Sequence, residues 1–388
     1  MLLTFENLIL MFVVFLIGSC LGSFFKLTVD RYDSDDSFVF KPSYCFNCKN
    51  KLFWWHNIPV ISYLILKGKC FFCKEKIDIS CLYSEIITGL IILTLFISGL
   101  LKTRNSFDLG LTLLFSSFLI LLSIFDLKHR IIPHEITYSA IILIFIARLI
   151  LKEPVSSMLS NLGIAYIFMD LLYFFAALIK KFEMEINIIS IPLIIWTTLF
   201  FYFHNIYISL IACMAYLIIT KFKASQKSCT ISWTVFFLLL LIQGYKIVFI
   251  DFNPGNLSVL FAGFGMIYFT CEIMLYFISL FFMGKKSIFE SKDMSVNSKI
   301  SIGGGDITVF ALISVFLGYK LGFIVLFIAS LLGILSHFIF RVVKKFPALS
   351  SPAEGEARQG RQLSAPYIPF VPYLSIACFI IIITSHGS

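Results

Sequence analysis

Residues 108–126 read DLGLTLLFSSFLILLSIFD, with seventeen uncharged residues between Asp108 and Asp126. A helix needs about 20 mostly apolar residues to cross a bilayer, so this stretch predicts a membrane span that ends at a carboxylate. Similar runs recur along the chain and predict about twelve spans. They lie near residues 5–25, 84–101, 108–126, 131–151, 157–179, 187–203, 205–221, 231–249, 257–283, 306–319, 321–340 and 366–386.

The composition agrees with a membrane protein of many spans. Of the 388 residues, 59% are hydrophobic and only 14% are Asp, Glu, Lys or Arg, whereas soluble domains carry about 25% charged residues. This excludes a soluble multidomain protein, a disordered chain, a coiled coil and a disulfide-stapled secreted module. The predicted fold class is an all-α polytopic membrane protein with a small cytoplasmic zinc-knuckle loop domain.

The basic residues predict the orientation of the chain, because short loops rich in Lys and Arg stay in the cytoplasm. Segment 26–81 holds nine of them, and further basic loops follow every second span thereafter. This pattern predicts both termini outside and the basic loops inside. The net charge of +9 is therefore a topology signal, and a nucleic-acid partner is not expected. Residues 1–25 are interpreted as a retained span and not as a signal peptide, since no Lys or Arg precedes the apolar run.

The predicted organisation has five parts, each defined by composition. They are a first span (1–25), a cytoplasmic zinc-binding loop domain (26–81), a membrane core (82–151), additional spans of unassigned role (152–284) and a second membrane core (285–388) that includes a polar linker at 347–366.

Four of the ten cysteines form two C-x-x-C motifs, Cys45–Cys48 and Cys70–Cys73. Zinc favours four thiolates in a tetrahedron, and a two-residue gap lets each motif supply two of them. The predicted cytoplasmic location disfavours stable disulfides. We therefore predict a structural zinc site, since no coordination position is left open for substrate. Two redox-active pairs, or a motif that binds no metal, are the alternatives; the other six cysteines are interpreted as packing residues.

Two aspartates stand at predicted span ends, Asp126 and Asp306. Each alone is typical of an ordinary helix terminus. Gly303, Gly304 and Gly305 directly precede Asp306, and glycines permit the close approach of another backbone. Two carboxylates that share one proton form an acid–base pair able to hydrolyse a peptide bond. The sequence predicts that both lie at the cytoplasmic membrane boundary and leaves open whether they meet.

Taken together, the motifs resemble bacterial type IV prepilin peptidases, intramembrane aspartyl proteases with a G-x-G-D motif. The resemblance rests on motifs in 18–137 and 300–375 that keep the order of the family. They are Gly22-Ser23-Phe24 with Arg31, Pro42-Ser43, His56-Asn57-Ile58-Pro59-Val60-Ile61-Ser62-Tyr63 through Lys67-Gly68-Lys69-Cys70, Glu85 with Thr88-Gly89, Asp126-Leu127 with Ile132-Pro133 and Thr137, Gly303-Gly304-Gly305-Asp306, and Ile368-Pro369-Phe370-Val371-Pro372-Tyr373-Leu374.

The resemblance implies a function and a set of site residues. It implies Asp126 and Asp306 as the catalytic pair, and cleavage of the short basic leader of type IV prepilins or pseudopilins after a glycine at the cytoplasmic face of the bacterial inner membrane. It further implies N-methylation of the new N-terminus with S-adenosylmethionine, whose binding residues the sequence does not identify. The implied partners are prepilins or pseudopilins and the lipid bilayer, with the oligomeric state open.

Two other interpretations of the sequence stay open. The chain could be a non-catalytic membrane scaffold or transporter of a pilus or secretion assembly, with the zinc loop as a docking module. Asp170 and Glu272, isolated carboxylates within predicted spans, are the residues that such a pathway would use. A third interpretation keeps the methyltransferase activity alone.

Overall fold

The computed structural model describes residues 5–32, 43–45, 47–102, 106–180, 304–344 and 369–384, with three isolated helical positions between 261 and 273. Within these ranges the backbone forms helices and turns, and no extended strand occurs in them. The predicted all-helical fold class is therefore confirmed for the part of the chain that the structure describes.

The helices follow one another along the chain with short connections. In order, they are α1 (Phe5–Asp30), a 3-10 helix (Trp54–Asn57), α2 (Ile61–Ile65), α3 (Ile79–Lys102), α4 (Ser106–His129), α5 (His134–Ile150), α6 (Val155–Lys180), and then, beyond residue 303, α7 (Gly304–Leu317), α8 (Tyr319–Lys344) and α9 (Val371–Thr384).

Four helical segments have the length and apolar composition needed to cross a membrane. They are Phe5–Asp30, Ile79–Leu101, Ser106–His129 and Tyr319–Ile339. Three apolar helical segments are shorter: Val155–Met169, Gly305–Leu317 and Val371–Thr384. Each predicted run that falls within the described ranges coincides with a helix. The runs 187–203, 205–221 and 231–249, nearly all of 257–283, the linker 347–366 and Glu272 lie outside the described residues, and so does the side chain of Asp170.

The chain divides into two compact units. The first comprises Met1–Ala140, Ile324–Arg361 and Ala365–Ser388, and the second comprises Ile141–Phe323 with Gln362–Ser364. In the first unit α1 packs along α3, and α4 packs against α3 and α9. In the second unit α6 packs against α7.

Small residues bring the backbones of α1 and α3 into direct contact. A methyl group added at Gly18 would lie 2.9 Å from the Cα atom of Gly89, and one added at Gly89 would lie 2.5 Å from Oγ of Ser19. Such seams are typical of membrane helices, which associate by close packing because lipid offers no hydrophobic driving force between them. The Ser84 hydroxyl also donates to the Gly22 carbonyl across the seam (3.1 Å).

Gly22→Ala tests this seam. The added Cβ would lie 2.4 Å from the Ser84 carbonyl oxygen and 2.9 Å from the Thr88 side chain, so we expect a loss of stability of about 1–3 kcal/mol. Thermal unfolding of the detergent-purified protein measures it. Gly110→Ala is the matched control, because this helical glycine of α4 has nothing within 4 Å of the added methyl group. Equal unfolding temperatures for the two variants would contradict the seam.

Hydroxyl groups join α4 to α9 within the first unit. The Ser123 and Ser375 hydroxyls lie 2.8 Å apart, and Ser375 also donates to the Leu119 carbonyl (3.3 Å). The Tyr373 hydroxyl lies 2.6 Å from that of Ser336 on α8. Because hydrogen bonds between polar side chains stabilise helix pairs in a lipid environment, these contacts fix the start of α9 beside the end of α4.

Helix α7 forms the core of the second unit. Every residue from Asp306 to Phe316 is buried, as expected for a helix that is apolar on all sides. Its 14 residues span about 21 Å, less than the roughly 30 Å of a bilayer interior. At its C-terminal end the Arg148 guanidinium donates to the Phe316 carbonyl and to the Glu153 carboxylate, which satisfies a backbone acceptor that the helix leaves open.

Candidate functional site

The first C-x-x-C motif forms a tight knuckle. The Lys49 N–H donates to the Cys45 carbonyl (2.9 Å), and the Cys45 N–H donates to the Asn50 carbonyl (3.0 Å). An antiparallel bridge between Tyr44 and Lys51 closes the turn. Lys49 has a φ of 58°, the left-handed conformation that the tight turn requires.

The second motif repeats this geometry. The Lys74 N–H donates to the Cys70 carbonyl (3.1 Å), and the Cys70 N–H donates to the Glu75 carbonyl (2.8 Å). Lys69 and Lys76 form the closing bridge, and Lys74 has a φ of 60°. The two knuckles thus present their cysteine pairs in the same way.

The four thiols converge as the sequence predicts. The sulfur atoms of Cys45, Cys48, Cys70 and Cys73 all lie within 4.8 Å of one another, and the Cys45 and Cys73 sulfurs are 3.8 Å apart. Zinc–sulfur bonds of about 2.3 Å place the sulfurs of a tetrahedral site about 3.8 Å apart, so this cluster fits a zinc ion. A hydrogen bond from the Cys73 backbone N–H lowers the pKa of Cys70 to about 7, whereas the pKa of the Cys73 thiol is raised to about 11, so a metal must displace a proton from this knuckle when it binds.

The left-handed residue after each knuckle gives a direct test of the turn geometry. Lys74→Gly and Lys74→Ala both remove the ammonium group that lies 5.3 Å from the Phe71 ring centroid, but only alanine keeps the Cβ that strains a positive φ. We expect the glycine variant to be the more stable of the two by about 1 kcal/mol. Zinc affinity and thermal unfolding of the two variants measure this difference, and an alanine variant at least as stable would contradict it.

Glu85 joins the loop to the membrane helices. This residue of α3 is buried, and its Oε2 accepts the Val60 N–H at 2.7 Å. Val60 has a φ of 63° and directly precedes α2. The N-I-P-V-I-S motif at 57–62 therefore forms a turn that α3 holds through a carboxylate. Glu85 was singled out in the sequence only as part of the family pattern. Its bond to Val60 was not predictable, because residues 25 positions apart share no local sequence signal.

Asp126 lies in the last turn of α4. Its side chain is 1% exposed, and its Oδ2 accepts the Val371 N–H at 3.0 Å. Val371 is the first residue of α9, and the free N–H groups of a helix N-terminus favour a negative charge. Pro372 follows and has no N–H to offer. Residues 369–372 of the I-P-F-V-P motif thus provide the N-terminus that orients the Asp126 carboxylate.

Asp306 lies in the first turn of α7 and is 3% exposed. In the same turn the Thr308 hydroxyl donates to the Gly305 carbonyl at 2.9 Å. Gly304 begins the helix, while Gly303 lies outside the described residues. Asp126 belongs to the first compact unit and Asp306 to the second. Their catalytic pairing remains a prediction.

Three charged residues form a cluster that the sequence analysis missed. Lys26 and Lys128 each contact Oδ1 of Asp30 at 2.7 Å, which joins the C-terminal ends of α1 and α4. The available signal was the four-residue spacing of Lys26 and Asp30, which places them on one helix face. Helix α1 continues to Asp30, beyond the predicted end of its apolar run at residue 25, and so places this carboxylate between the two lysines.

Comparison with known protein families gives a match over the segment that contains both knuckles. The model of the bacterial peptidase A24 N-terminal domain matches residues 16–98, which contain most of α1, both knuckles and Glu85. A prepilin leader peptidase/N-methyltransferase of Myxococcus xanthus is 34% identical over 124 residues, which are 32% of this chain and 36% of that protein. The protein of that name from Vibrio cholerae is 34% identical over 152 residues, 36% of this chain and 55% of the relative.

A prepilin leader peptidase/N-methyltransferase of Bacillus subtilis is 29% identical over 150 residues, 39% of this chain and 58% of the relative. The chain thus spans between 36% and 58% of the length of these three relatives. No solved structure matches it. The resemblance to type IV prepilin peptidases is confirmed, and residues 16–98 match the bacterial peptidase A24 N-terminal domain.

Proposed function

We propose that the chain is a prepilin peptidase that cleaves the short basic leader of type IV prepilins or pseudopilins after a glycine. The observation that supports this most is the buried Asp126 carboxylate, bonded to the N-terminus of α9. A carboxylate inside a membrane protein is costly and usually functional. The similarity to relatives named prepilin leader peptidase/N-methyltransferase supports the same activity.

The proposed mechanism uses Asp126 and Asp306 as an acid–base pair. One carboxylate takes a proton from water while the other donates a proton to the scissile carbonyl oxygen. The resulting tetrahedral intermediate then expels the amine, which is protonated as the carbon–nitrogen bond breaks. The sequence predicts Gly303, Gly304 and Gly305 as an active-site loop, but Gly304 and Gly305 form the first turn of α7; their lack of side chains would leave room there for an extended substrate backbone.

The second proposed activity is methylation of the new N-terminal amine with S-adenosylmethionine. The names of the relatives include N-methyltransferase. The zinc ion proposed for the four-cysteine cluster would be structural, because four thiolates leave no position for a substrate. Cys45, Cys48, Cys70 and Cys73 would hold it and fix a loop too small for its own apolar core.

We further propose the topology that the sequence predicts. About twelve spans cross the bacterial inner membrane, both termini lie outside, and the zinc loop and the aspartates face the cytoplasm. The organisation into a first span (1–25), zinc loop (26–81), first core (82–151), additional spans (152–284) and second core (285–388) belongs to the same proposal. The proposed partners are prepilins or pseudopilins and the lipid bilayer, with no nucleic acid.

A leader-cleavage assay in membranes tests the proposed function. The full chain would be co-expressed with each of several prepilin-like substrates, and the N-terminus of the product would be determined by mass spectrometry. Cleavage after the glycine is expected, with a mass increase of one methyl group if the second activity is present. Intact leaders across the whole panel, with the protein present and zinc bound, would contradict the peptidase and favour the scaffold interpretation.

A further inference from the structure

Helix α2 of the zinc loop has its apolar face turned outward. The side chains of Ile61, Leu64 and Ile65 are 40%, 64% and 66% exposed, and their spacing of three and four residues places them on one helix face. Tyr63 is half-buried and contacts the loop itself, since a methyl group added at Gly68 would lie 2.9 Å from its hydroxyl oxygen. A surface helix of a soluble protein buries its apolar face instead, so α2 suits apolar surroundings.

The neighbouring 3-10 helix extends this exposed surface. It packs against α2, and its first residue, Trp54, is 80% exposed, next to an exposed Phe53. Tryptophan is enriched where proteins meet the boundary between lipid and water, because its ring is apolar and its N–H is polar. We refer to the side chains of Phe53, Trp54, Ile61, Leu64 and Ile65 as the outer face of the loop.

The bond between the loop and α3 sets the depth of this outer face. The candidate membrane span Ile79–Leu101 is about 35 Å long, which exceeds the roughly 30 Å hydrocarbon core by about 5 Å. Glu85, which accepts the Val60 N–H at 2.7 Å, follows Ile79 by about 9 Å along the helix. For a span along the membrane normal, Val60 and the start of α2 therefore lie level with the lipid boundary.

An exposed stripe of α3 identifies the lipid at the same depth. Its residues recur every three or four positions on one helix face; they are Ile79, Tyr83, Ile87 and Leu90. Glu85 lies between Tyr83 and Ile87 in the sequence, so the carboxylate that holds the loop is at the depth of side chains that face lipid. Tyr83 is itself typical of the membrane interface. The outer face of the loop thus continues a lipid-facing surface.

Lysines flank the outer face. Lys51 precedes it in the sequence, and Lys67 and Lys69 follow α2; all three are exposed. Residues 43–78 contain six lysines, with Glu75 and Asp78 as the acidic residues, which gives a net charge of +4. Basic residues beside a membrane are attracted to anionic phospholipid headgroups. The charge of the loop therefore complements an anionic leaflet.

We propose that the outer face of the zinc loop lies in the headgroup region of the bilayer and that Lys67 and Lys69 bind anionic phospholipid headgroups there. The apolar side chains contact the upper part of the acyl chains, while the ammonium groups reach the phosphates. The inference goes beyond the proposed peptidase activity. It rests on the proposed cytoplasmic location of the loop and not on cleavage or methylation.

The emission of Trp54 tests the depth of the outer face. The full chain would be reconstituted in vesicles of phosphatidylcholine and phosphatidylglycerol, with bromine either near the carbonyl end or near the methyl end of the acyl chains. The signal of Trp54 is the difference between wild type and Trp54→Phe, in which the other three tryptophans cancel. We expect bromine near the carbonyl end to quench most of this difference. No quenching, or stronger quenching by bromine near the methyl end, would overturn the proposal.

A photoreactive benzoylphenylalanine in place of Leu64 identifies what covers the outer face. Irradiation of membranes that contain the full chain, followed by mass spectrometry, should give phospholipid adducts at this position. The same replacement at Leu90, on the lipid-facing stripe of α3, is the positive control. Phospholipid adducts at Leu90 alone, with position 64 attached to another segment of the chain, to a second copy or to a pilin, would overturn the proposal.

The phospholipid attached at position 64 also measures the role of the lysines. In vesicles of known composition, we expect the ratio of phosphatidylglycerol to phosphatidylcholine adducts to exceed the bulk ratio by about fivefold or more. The double substitution Lys67→Gln with Lys69→Gln should return it to the bulk ratio. Lys152→Gln, which removes an exposed lysine outside the loop, is the matched control and should leave the ratio unchanged. A bulk ratio in the wild type, or an equal loss in the control, would overturn the proposal.

These outcomes are distinct from failure of the peptidase. If the wild type cuts leaders and no phospholipid attaches at position 64, this inference fails and the proposed cleavage stands. If phospholipid attaches there and no leader is cut, the peptidase fails and the lipid contact stands.

Discussion

Asp126→Asn abolishes leader cleavage, and Asp306→Asn does the same, while the protein is still made. Asparagine keeps the shape of the side chain and an oxygen that can accept the Val371 N–H, so the packing of α9 on α4 persists. It can neither take a proton from water nor donate one to a carbonyl oxygen as a carboxyl group does. Loss of a general acid or base costs about 10²–10⁴-fold in rate. Immunoblotting of precursor and mature pilin measures the effect.

Asp108→Asn is the matched control for these two variants. Asp108 lies in the first turn of α4, the same helix that ends beyond Asp126, and we propose no catalytic role for it. It should process pilin at the wild-type rate. Methylation of pilin provides a second measurement. Both aspartate variants should still methylate a pilin that is supplied without its leader. Processing in either variant within about tenfold of wild type would exclude the dyad.

Cys70→Ser removes zinc from the protein and lowers its level in the membrane. Cys70 is buried, and its thiol lies in the cluster whose four sulfurs come within 4.8 Å of one another. Structural zinc sites contribute about 10–16 kcal/mol of apparent binding free energy, which is also folding free energy. The loss of one of four ligands should therefore unfold the loop. Elemental analysis of the purified protein gives the zinc stoichiometry, expected to fall from one ion per chain to none.

Cys20→Ser serves as the control for the cysteine variant. Cys20 is an exposed residue of α1 outside the cluster, so its substitution should leave zinc content and protein level unchanged. If Cys70→Ser retains one zinc ion per chain after purification, the four-thiolate site is wrong. If the wild type holds no zinc and the two cysteine pairs are oxidised, the redox interpretation takes its place.

The helical fold was predictable wherever apolar runs are long and interrupted by charge. The runs at 84–101 and 108–126 appear as α3 and α4. Lipid offers no hydrogen-bond partners, and within a single segment only a helix pairs its own backbone N–H and C=O groups. The ends of the helices were less predictable. Helix α1 continues to Asp30, where Lys26 and Lys128 pair with that carboxylate, and a window of hydropathy cannot detect a contact between two helices.

Within the candidate site, spacing predicted the metal cluster and missed the backbone that builds it. The C-x-x-C pattern identifies four ligands, because two residues are the gap that a knuckle needs. The positive φ of Lys49 and Lys74 was not predictable, since lysine has no preference for that region. The bond from Val371 to Asp126 spans 245 positions, so only the folded chain reveals what the I-P-F-V-P motif does.

The tight seam between α1 and α3 has a mechanical consequence for the zinc loop. The loop leaves α1 after Asp30 and enters α3 at Ile79, so both of its attachment points lie on one helix pair whose backbones touch at Gly18 and Gly89. The bond from the Val60 N–H to Glu85 of α3 at 2.7 Å ties the described part of the loop to the same helix pair. We therefore expect the loop and the α1–α3 pair to move together as one rigid unit. Any opening that admits a substrate should then come from movement of α4, whose end contacts this unit through the ion pair of Lys128 and Asp30.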